Sequence, residues 1–141
     1  MNAYDLPTLK AELTRDEGRR ARIYVDTVGK TSGGVGRNLS DVAFSDDEID
    51  LMLSNDIERA ELSLDARLPW WRNLDPVRQR VILNMCFNMG IAGLLTFVNT
   101  LAFVKSGNWN AAANGMLASK WANQVGARAQ RLAQMMRTGS A

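Results

Sequence analysis

Residues 16–36 read DEGRRARIYVDTVGKTSGGVG, and this stretch decides how the N-terminal part of the chain folds. Upstream of it, Asp5 precedes Pro7 in a pattern that is typical of a helix start. A helix that begins there places Glu17 in its last turn, and Gly18 follows as the glycine that commonly ends a helix. The sequence therefore predicts a helix up to Glu17, with a change of structure immediately after it.

The next carboxylate along the chain, Asp26, follows the alternating residues 23–25 and precedes Gly29, which is typical of a hairpin. Hydrolysis of a glycosidic bond uses two carboxyl groups, one to protonate the leaving oxygen and one on the other side of the sugar. Glu17 and Asp26 are candidates for this pair. A Glu at a helix end and an Asp in a turn are also common without any catalytic role, so the spacing alone leaves both interpretations open.

The same stretch resembles the catalytic segment of the phage-type lysozymes, a family of glycoside hydrolases. Further similar motifs follow in the family's order, namely 84–90 (NMCFNMG), 97–101 (FVNTL), 120–124 (KWANQ), 128–129 (RA) and 137–139 (RTG). The resemblance covers nearly the whole chain. It implies a lysozyme-like α+β fold that is mostly helical, with a small N-terminal β-hairpin lobe and a larger helical C-terminal lobe.

The expected domain organisation is a single lysozyme-like catalytic domain over residues 1–141. Its small β-containing lobe would span 18–44, and its helical part would comprise 1–17 and 45–141. The chain is 46% hydrophobic and carries no internal repeat, which agrees with one domain. Extended structure is predicted only at 22–36.

Start and stop signals divide the second half of the chain into helices. A capping box at 45–48 and the pair Asp75-Pro76 predict two helix starts, and Gly90 is expected to end the second of these helices. A further helix is predicted over 94–105, and the last over 127–136. Trp70, Trp71, Trp109 and Trp121 are interpreted as packing residues, and Cys86 as a buried thiol.

The resemblance also implies catalytic roles. Glu17 would be the general acid and Asp26 the second carboxylate. Ser32 stands where the family usually has a Thr that helps to hold the attacking water. Arg128 is expected to approach Glu17 and orient it.

Four further positions are implied to line the glycan cleft: Gly36, Phe87, Asn88 and Met89. Their backbone and amide groups would form hydrogen bonds with the N-acetyl groups of the sugars. For Phe87 and Met89, ordinary core packing is an equally good interpretation, because the helix that carries them is largely apolar.

Three positions depart from the family pattern. Arg37 stands where the family commonly has His, which leaves its structural role open. Only 40–44 separate Leu39 from the capping box, so the small lobe is expected to be shortened and the cleft more open. Gly33 replaces a bulkier apolar residue, which is expected to add local freedom.

The activity implied is that of a muramidase, which hydrolyses the β-1,4 bond between N-acetylmuramic acid and N-acetylglucosamine. Its use would be bacterial cell-wall lysis, or local penetration of the wall by a phage. Two alternatives stay open. One is a lytic transglycosylase that cleaves the same bond with Glu17 alone, and the other is a non-catalytic wall-binding or structural module.

The composition of the chain limits both the partners it can attract and the types of active site it can form. Residues 76–141 contain seven Lys or Arg residues and no acid, so this part is expected to attract the acidic cell wall. The chain has no His and one Cys, which excludes a His-ligated zinc amidase, a Ser-His-Asp triad and a Cys-His peptidase. No cofactor or metal is expected. Lys and Arg are spaced singly, and no nucleic-acid-binding motif accompanies them.

The expected partner is bacterial peptidoglycan, without nucleic acid or stable membrane insertion. The protein is expected to be a monomer, or a domain of a larger virion protein. The N-terminal residues show no signal-peptide pattern. We therefore expect synthesis in the host cytoplasm and action on the periplasmic wall, after holin-type release or delivery from a virion.

Overall fold

In the computed structural model, which describes residues 4–141, the first helix, α1, spans Leu6–Glu17. The side chain of Asp5 accepts a hydrogen bond from the backbone N–H of Thr8, as a helix N-cap does. Gly18 ends the helix with a φ of +81°. The predicted start and stop of this helix are both confirmed.

Three short antiparallel strands follow in the order β1 (Arg20–Val25), β2 (Thr31–Gly34) and β3 (Arg37–Asn38). In this sheet Tyr24 pairs with Ser32, and Ser32 pairs with Asn38 on its other side. The predicted hairpin is confirmed. The sheet begins earlier than predicted and adds a third strand beyond residue 36.

Gly33 is the glycine that the sequence predicts to add local freedom. It is buried in β2, and a Cβ built at this position would lie 3.2 Å from Cδ1 of Leu39 and 3.9 Å from Cγ2 of Ile23. The Leu39 side chain therefore occupies the space that a larger residue would need, and the expected local freedom stays a prediction.

The remainder is helical: α2 (Asp46–Arg67), a 3₁₀ helix (Pro69–Asn73), α3 (Pro76–Leu95), α4 (Val98–Ser106), α5 (Trp109–Leu117), α6 (Lys120–Val125) and α7 (Ala127–Thr138). The predicted capping box closes the start of α2. The N–H of Ser45 donates to Oε1 of Glu48 at 2.8 Å, and the N–H of Glu48 donates to Oγ of Ser45 at 3.3 Å. The α+β, mostly helical fold is confirmed.

The predicted boundary between α3 and α4 is partly wrong. Gly90 does interrupt the helix, since its φ of +77° and ψ of 165° are not helical. However, the helix resumes and runs to Leu95, and α4 begins only at Val98 instead of at residue 94. The apolar residues around 94 therefore belong to the end of α3.

The chain forms two compact units, Met1–Ile49 and Asp50–Ala141. The first unit contains α1 together with the sheet, whereas the sequence had grouped residues 1–17 with the helices. That the chain forms one catalytic domain stays a prediction. The second unit holds the main hydrophobic core, whose largest fully buried side chains are Leu64, Trp71, Ile82, Met85, Leu94, Met116 and Met136.

The four tryptophans all contribute to this packing, as predicted. Trp71 and Trp121 are 1% and 6% exposed, and Trp70 and Trp109 are partly buried against the core. Cys86 is also buried, and burial raises the pKa of its thiol.

Among residues 4–141, no single helix is long and apolar enough to cross a membrane; α3 and α4 meet that criterion only as a pair bent by 112°.

Candidate functional site

Asp26 lies in the turn between β1 and β2, where its own backbone and one carboxylate oxygen close the turn. Its N–H donates to the carbonyl of Lys30 at 2.8 Å. Its Oδ1 accepts hydrogen bonds from the N–H groups of Val28 at 3.0 Å and Lys30 at 2.8 Å. The carboxylate is therefore held by the hairpin itself.

Ser32 is the residue of β2 that lies beside this carboxylate. Its side chain is buried, and its Oγ is 3.5 Å from Oδ2 of Asp26 and 3.4 Å from the carbonyl oxygen of Lys30. The structure thus brings together two of the residues that the sequence singled out. The role of Ser32 in holding a water stays a prediction.

Glu17 is exposed at the C-terminal end of α1, and Gly36 lies directly against it. A Cβ built on Gly36 would be 2.8 Å from Oε2 and 3.2 Å from Cβ of Glu17. Gly36 also has a φ of +66°, a conformation that residues with a side chain rarely adopt. The backbone conformation therefore favours glycine here, and a side chain at this position would have to displace the exposed Glu17 side chain.

Arg37, whose role the sequence left open, forms an ion pair with Glu48 of the capping box. It thereby connects β3 to the start of α2. The pKa of Glu48 lies below its ordinary value of 4.5, first because of hydrogen bonds from the backbone N–H and hydroxyl of Ser45, and further because of Arg37.

In the helical unit, Arg128 is half-buried and forms hydrogen bonds with Asn84, a residue that the sequence pattern did not mark as part of the site. Its Nε and one terminal nitrogen donate to Oδ1 of Asn84, at 2.9 Å and 2.7 Å. Asn84 lies four residues before Asn88 in the motif 84–90, so the two side chains share one face of a helix. This spacing is the feature of the sequence that could have identified Asn84 as part of the site. The predicted action of Arg128 on Glu17 stays a prediction.

Asn88 is also held by a distant side chain. The indole N–H of Trp121 donates to its Oδ1 at 2.8 Å. Since the amide oxygen of Asn88 accepts this bond, the NH₂ group of the same amide points away from Trp121 and can donate two hydrogen bonds. Asn88 is exposed, so these donors are accessible to a ligand.

Phe87 and Met89, the neighbours of Asn88, differ in burial. Met89 is partly buried and packs against the core, as the packing interpretation expected. Phe87 is 44% exposed, which does not fit core packing.

Phe87 instead lines a cavity of about 470 Å³ with Arg128 and Asn84. The rest of the cavity wall is mainly apolar. It is formed by Leu53, Ile57, Ala60 and Leu83, together with Arg80. Such a combination of apolar walls and a few polar groups is typical of small-ligand sites. Asn88 and Met89 are not among the lining residues.

Within residues 4–141, no three or more His, Cys, Asp or Glu side chains are grouped so that they could hold a metal ion.

Comparison with known proteins shows what the chain is similar to. A family model described as phage lysozyme matches residues 14–137. A probable T4-type lysozyme of Dictyostelium discoideum is 26% identical, over 94% of this chain and 95% of its own length, and a second one is 24% identical over the same shares. The pre-baseplate central spike protein of Enterobacteria phage T4 is 27% identical over 91% of this chain, but this match covers only 27% of the spike protein.

Proposed function

The chain belongs to the phage lysozyme family, whose members are glycosidases that hydrolyse peptidoglycan, and on this basis we propose that it is a muramidase. The bond cleaved would be the β-1,4 bond between N-acetylmuramic acid and N-acetylglucosamine. The observation that best supports this proposal is the hairpin carboxylate of Asp26, which is held by two backbone N–H groups and lies beside the hydroxyl of Ser32.

In the proposed reaction, Glu17 donates its proton to the glycosidic oxygen as the bond to the anomeric carbon breaks. Asp26 takes a proton from the attacking water, or stabilises the positive charge that develops on the sugar ring. Ser32 would help to hold the water at Oδ2, the oxygen of Asp26 that accepts no backbone hydrogen bond in the turn. The products are two shorter glycan strands, one of which ends in reducing N-acetylmuramic acid.

We also propose which residues contact the sugars. The backbone at Gly36 lies against the general acid, and the free NH₂ group of Asn88 is suited to an N-acetyl carbonyl. Phe87 offers an exposed aromatic face, and Met89 an apolar surface. Arg128 would orient Glu17.

The proposal is tested with insoluble peptidoglycan and three variants. Glu17→Gln should lower the rate of wall solubilisation by about 10²–10⁴-fold, because the proton for the leaving oxygen is lost. Asp26→Asn should also lower it. Glu12→Gln, which changes an exposed carboxylate on the same helix, serves as the matched control and should keep full activity. Mass spectrometry of the wild-type products should show reducing N-acetylmuramic acid ends.

Other results would decide between the alternatives. Anhydro-muramic products together with an active Asp26→Asn variant would identify a lytic transglycosylase that uses Glu17 alone. Failure of the wild type to release sugars would favour a non-catalytic wall-binding module.

We further propose that the protein acts for a phage on the periplasmic wall of its host. It would be made in the host cytoplasm and then reach the wall after holin-type release or as part of a virion. The match to a section of a phage spike protein supports the second route. Peptide mass spectrometry of purified virions, compared with the soluble fraction of lysed cells, distinguishes the two routes.

A further inference from the structure

A second concave surface in the helical unit remains without a role in the proposed reaction. It is an open groove of about 770 Å³ along α7, with α6 and the end of α5 contributing to its walls. It shares none of its lining residues with the cavity formed by Phe87, Asn84 and Arg128. We call it the α7 groove.

Three amide side chains line the α7 groove: Asn123 from α6, and Gln130 and Gln134 from α7. All three residues are exposed, and their side chains form no hydrogen bond with any residue of the described range 4–141. Each amide offers two donors and one acceptor, the combination that sugar hydroxyl and N-acetyl groups require. These hydrogen-bonding groups are therefore available to a ligand.

Gln130 and Gln134 are four residues apart on one helix, so they lie above one another at a separation of about 5.4–6 Å. This distance is close to the length of one sugar residue in an extended β-1,4-linked chain. Ala129 and Ala133, which directly precede Gln130 and Gln134, also line the groove, and their small side chains are 1% and 2% exposed.

Charge indicates which sugar chain fits. No carboxylate lines the α7 groove, and residues 76–141 contain no acid at all. At one end lies Arg137, whose two terminal nitrogens donate to Oδ1 of Asn110 at 3.3 Å and Oδ1 of Asn114 at 3.1 Å. A guanidinium held in this way is suited to an acidic substituent on an otherwise uncharged glycan.

We propose that the α7 groove binds a glycan strand of peptidoglycan as a second site, at which no bond is cleaved. The amides would contact the N-acetylated sugars, and Arg137 would face the lactyl group of muramic acid. The carboxyl of that group is free where no stem peptide is attached, and is otherwise amide-linked to a peptide that carries carboxylates of its own. This inference rests on the proposed function, because it takes the substrate of that reaction as its ligand. Such a site keeps the protein on the insoluble wall between cleavage events.

The test measures retention on insoluble sacculi by cosedimentation in a Glu17→Gln background, so that the wall stays intact. The double variant Gln130→Ala/Gln134→Ala should bind about tenfold more weakly, because two or more hydrogen bonds are lost. Gln124→Ala, which removes an exposed amide outside the groove, is the matched control and should bind normally. Thermal melting of each variant checks that it is folded.

Two further measurements separate this proposal from the catalytic one. In a Glu17-containing background, the double variant should cleave short soluble glycan fragments at the wild-type rate and solubilise sacculi more slowly. Sacculi whose stem peptides have been removed by an amidase should still be retained by the α7 groove. Equal retention of the double variant and the control would overturn the proposal, as would loss of binding to peptide-free glycan. Release of sugars by the Glu17→Gln protein would instead contradict the proposed catalytic function.

Discussion

Gly36 lies so close to the carboxylate of Glu17 that a Cβ at residue 36 would be 2.8 Å from Oε2 of that carboxylate. This distance is shorter than a carbon–oxygen contact without a bond allows, so any side chain at residue 36 must displace the carboxylate or the loop. The position of the proposed general acid therefore depends on a glycine nineteen residues further along the chain.

Gly36→Ala is expected to lower catalytic activity by about a hundredfold, because a displacement of about 1 Å at a catalytic group has effects of that order. Gly34→Ala is the matched control. Its φ of +62° is nearly the same as that of Gly36, but no heavy atom lies within 4 Å of the added Cβ. Both variants should lose about 1–2 kcal/mol of folding free energy from the left-handed conformation. Only Gly36→Ala should lose activity, as measured by the release of reducing ends; equal activities would contradict the proposed role of the contact.

The pH dependence of stability should reveal the lowered pKa of Glu48. A carboxylate whose pKa is lower in the folded protein stabilises the fold above its ordinary value of 4.5, and this stabilisation is lost as the pH falls below 4.5. Glu48→Gln keeps an acceptor for the N–H of Ser45 but removes the charge that pairs with Arg37. In urea unfolding series below pH 4.5, the wild type should lose stability more steeply than Glu48→Gln. Glu58→Gln, at an exposed position of the same helix, should follow the wild-type curve.

Arg78 is expected to be important for stability. It is 9% exposed, its Nε donates to the carbonyl of Met136 at 2.7 Å, and its guanidinium lies 3.9 Å from the ring centroid of Trp109. Arg78→Lys keeps the charge but loses the forked donor geometry and the stacking, so unfolding free energy should fall by about 2 kcal/mol. Arg131→Lys, at an exposed position, should change it by less than about 0.5 kcal/mol. A similarly small effect at residue 78 would show that these contacts contribute little.

Trp121→Phe tests whether the indole positions Asn88 for substrate binding. The phenyl ring preserves most of the aromatic packing but removes the donor 2.8 Å from Oδ1 of Asn88. We expect KM for a soluble glycan fragment to rise about fivefold, which corresponds to one hydrogen bond, with kcat nearly unchanged. Trp109→Phe, which changes a tryptophan that does not contact Asn88, is the control and should leave KM unaltered. An equal fall in kcat for both variants would indicate a general structural effect.

Local features of the fold could be predicted because the groups that determine them are close in sequence. Asp5 and Gly18 delimit α1, and Ser45 and Glu48 close the start of α2, each through contacts within a few residues. The hairpin that presents Asp26 likewise depends on hydrogen bonds to residues up to four positions away. Backbone capping and turn chemistry act at this range, so the sequence alone determined these elements and the placement of both candidate carboxylates on them.

Only the tertiary structure decided which side chains become partners across longer separations. Arg128 meets Asn84 and Trp121 meets Asn88, although these pairs are 44 and 33 residues apart. The sequence also could not show that Leu39 fills the space over Gly33. The physical reason is that a long side chain has many rotamers and several possible partners, and only the packing of whole elements selects among them. The sequence therefore determined the elements and the residue types of the candidate site, and the folded chain determined how each of those residues is held.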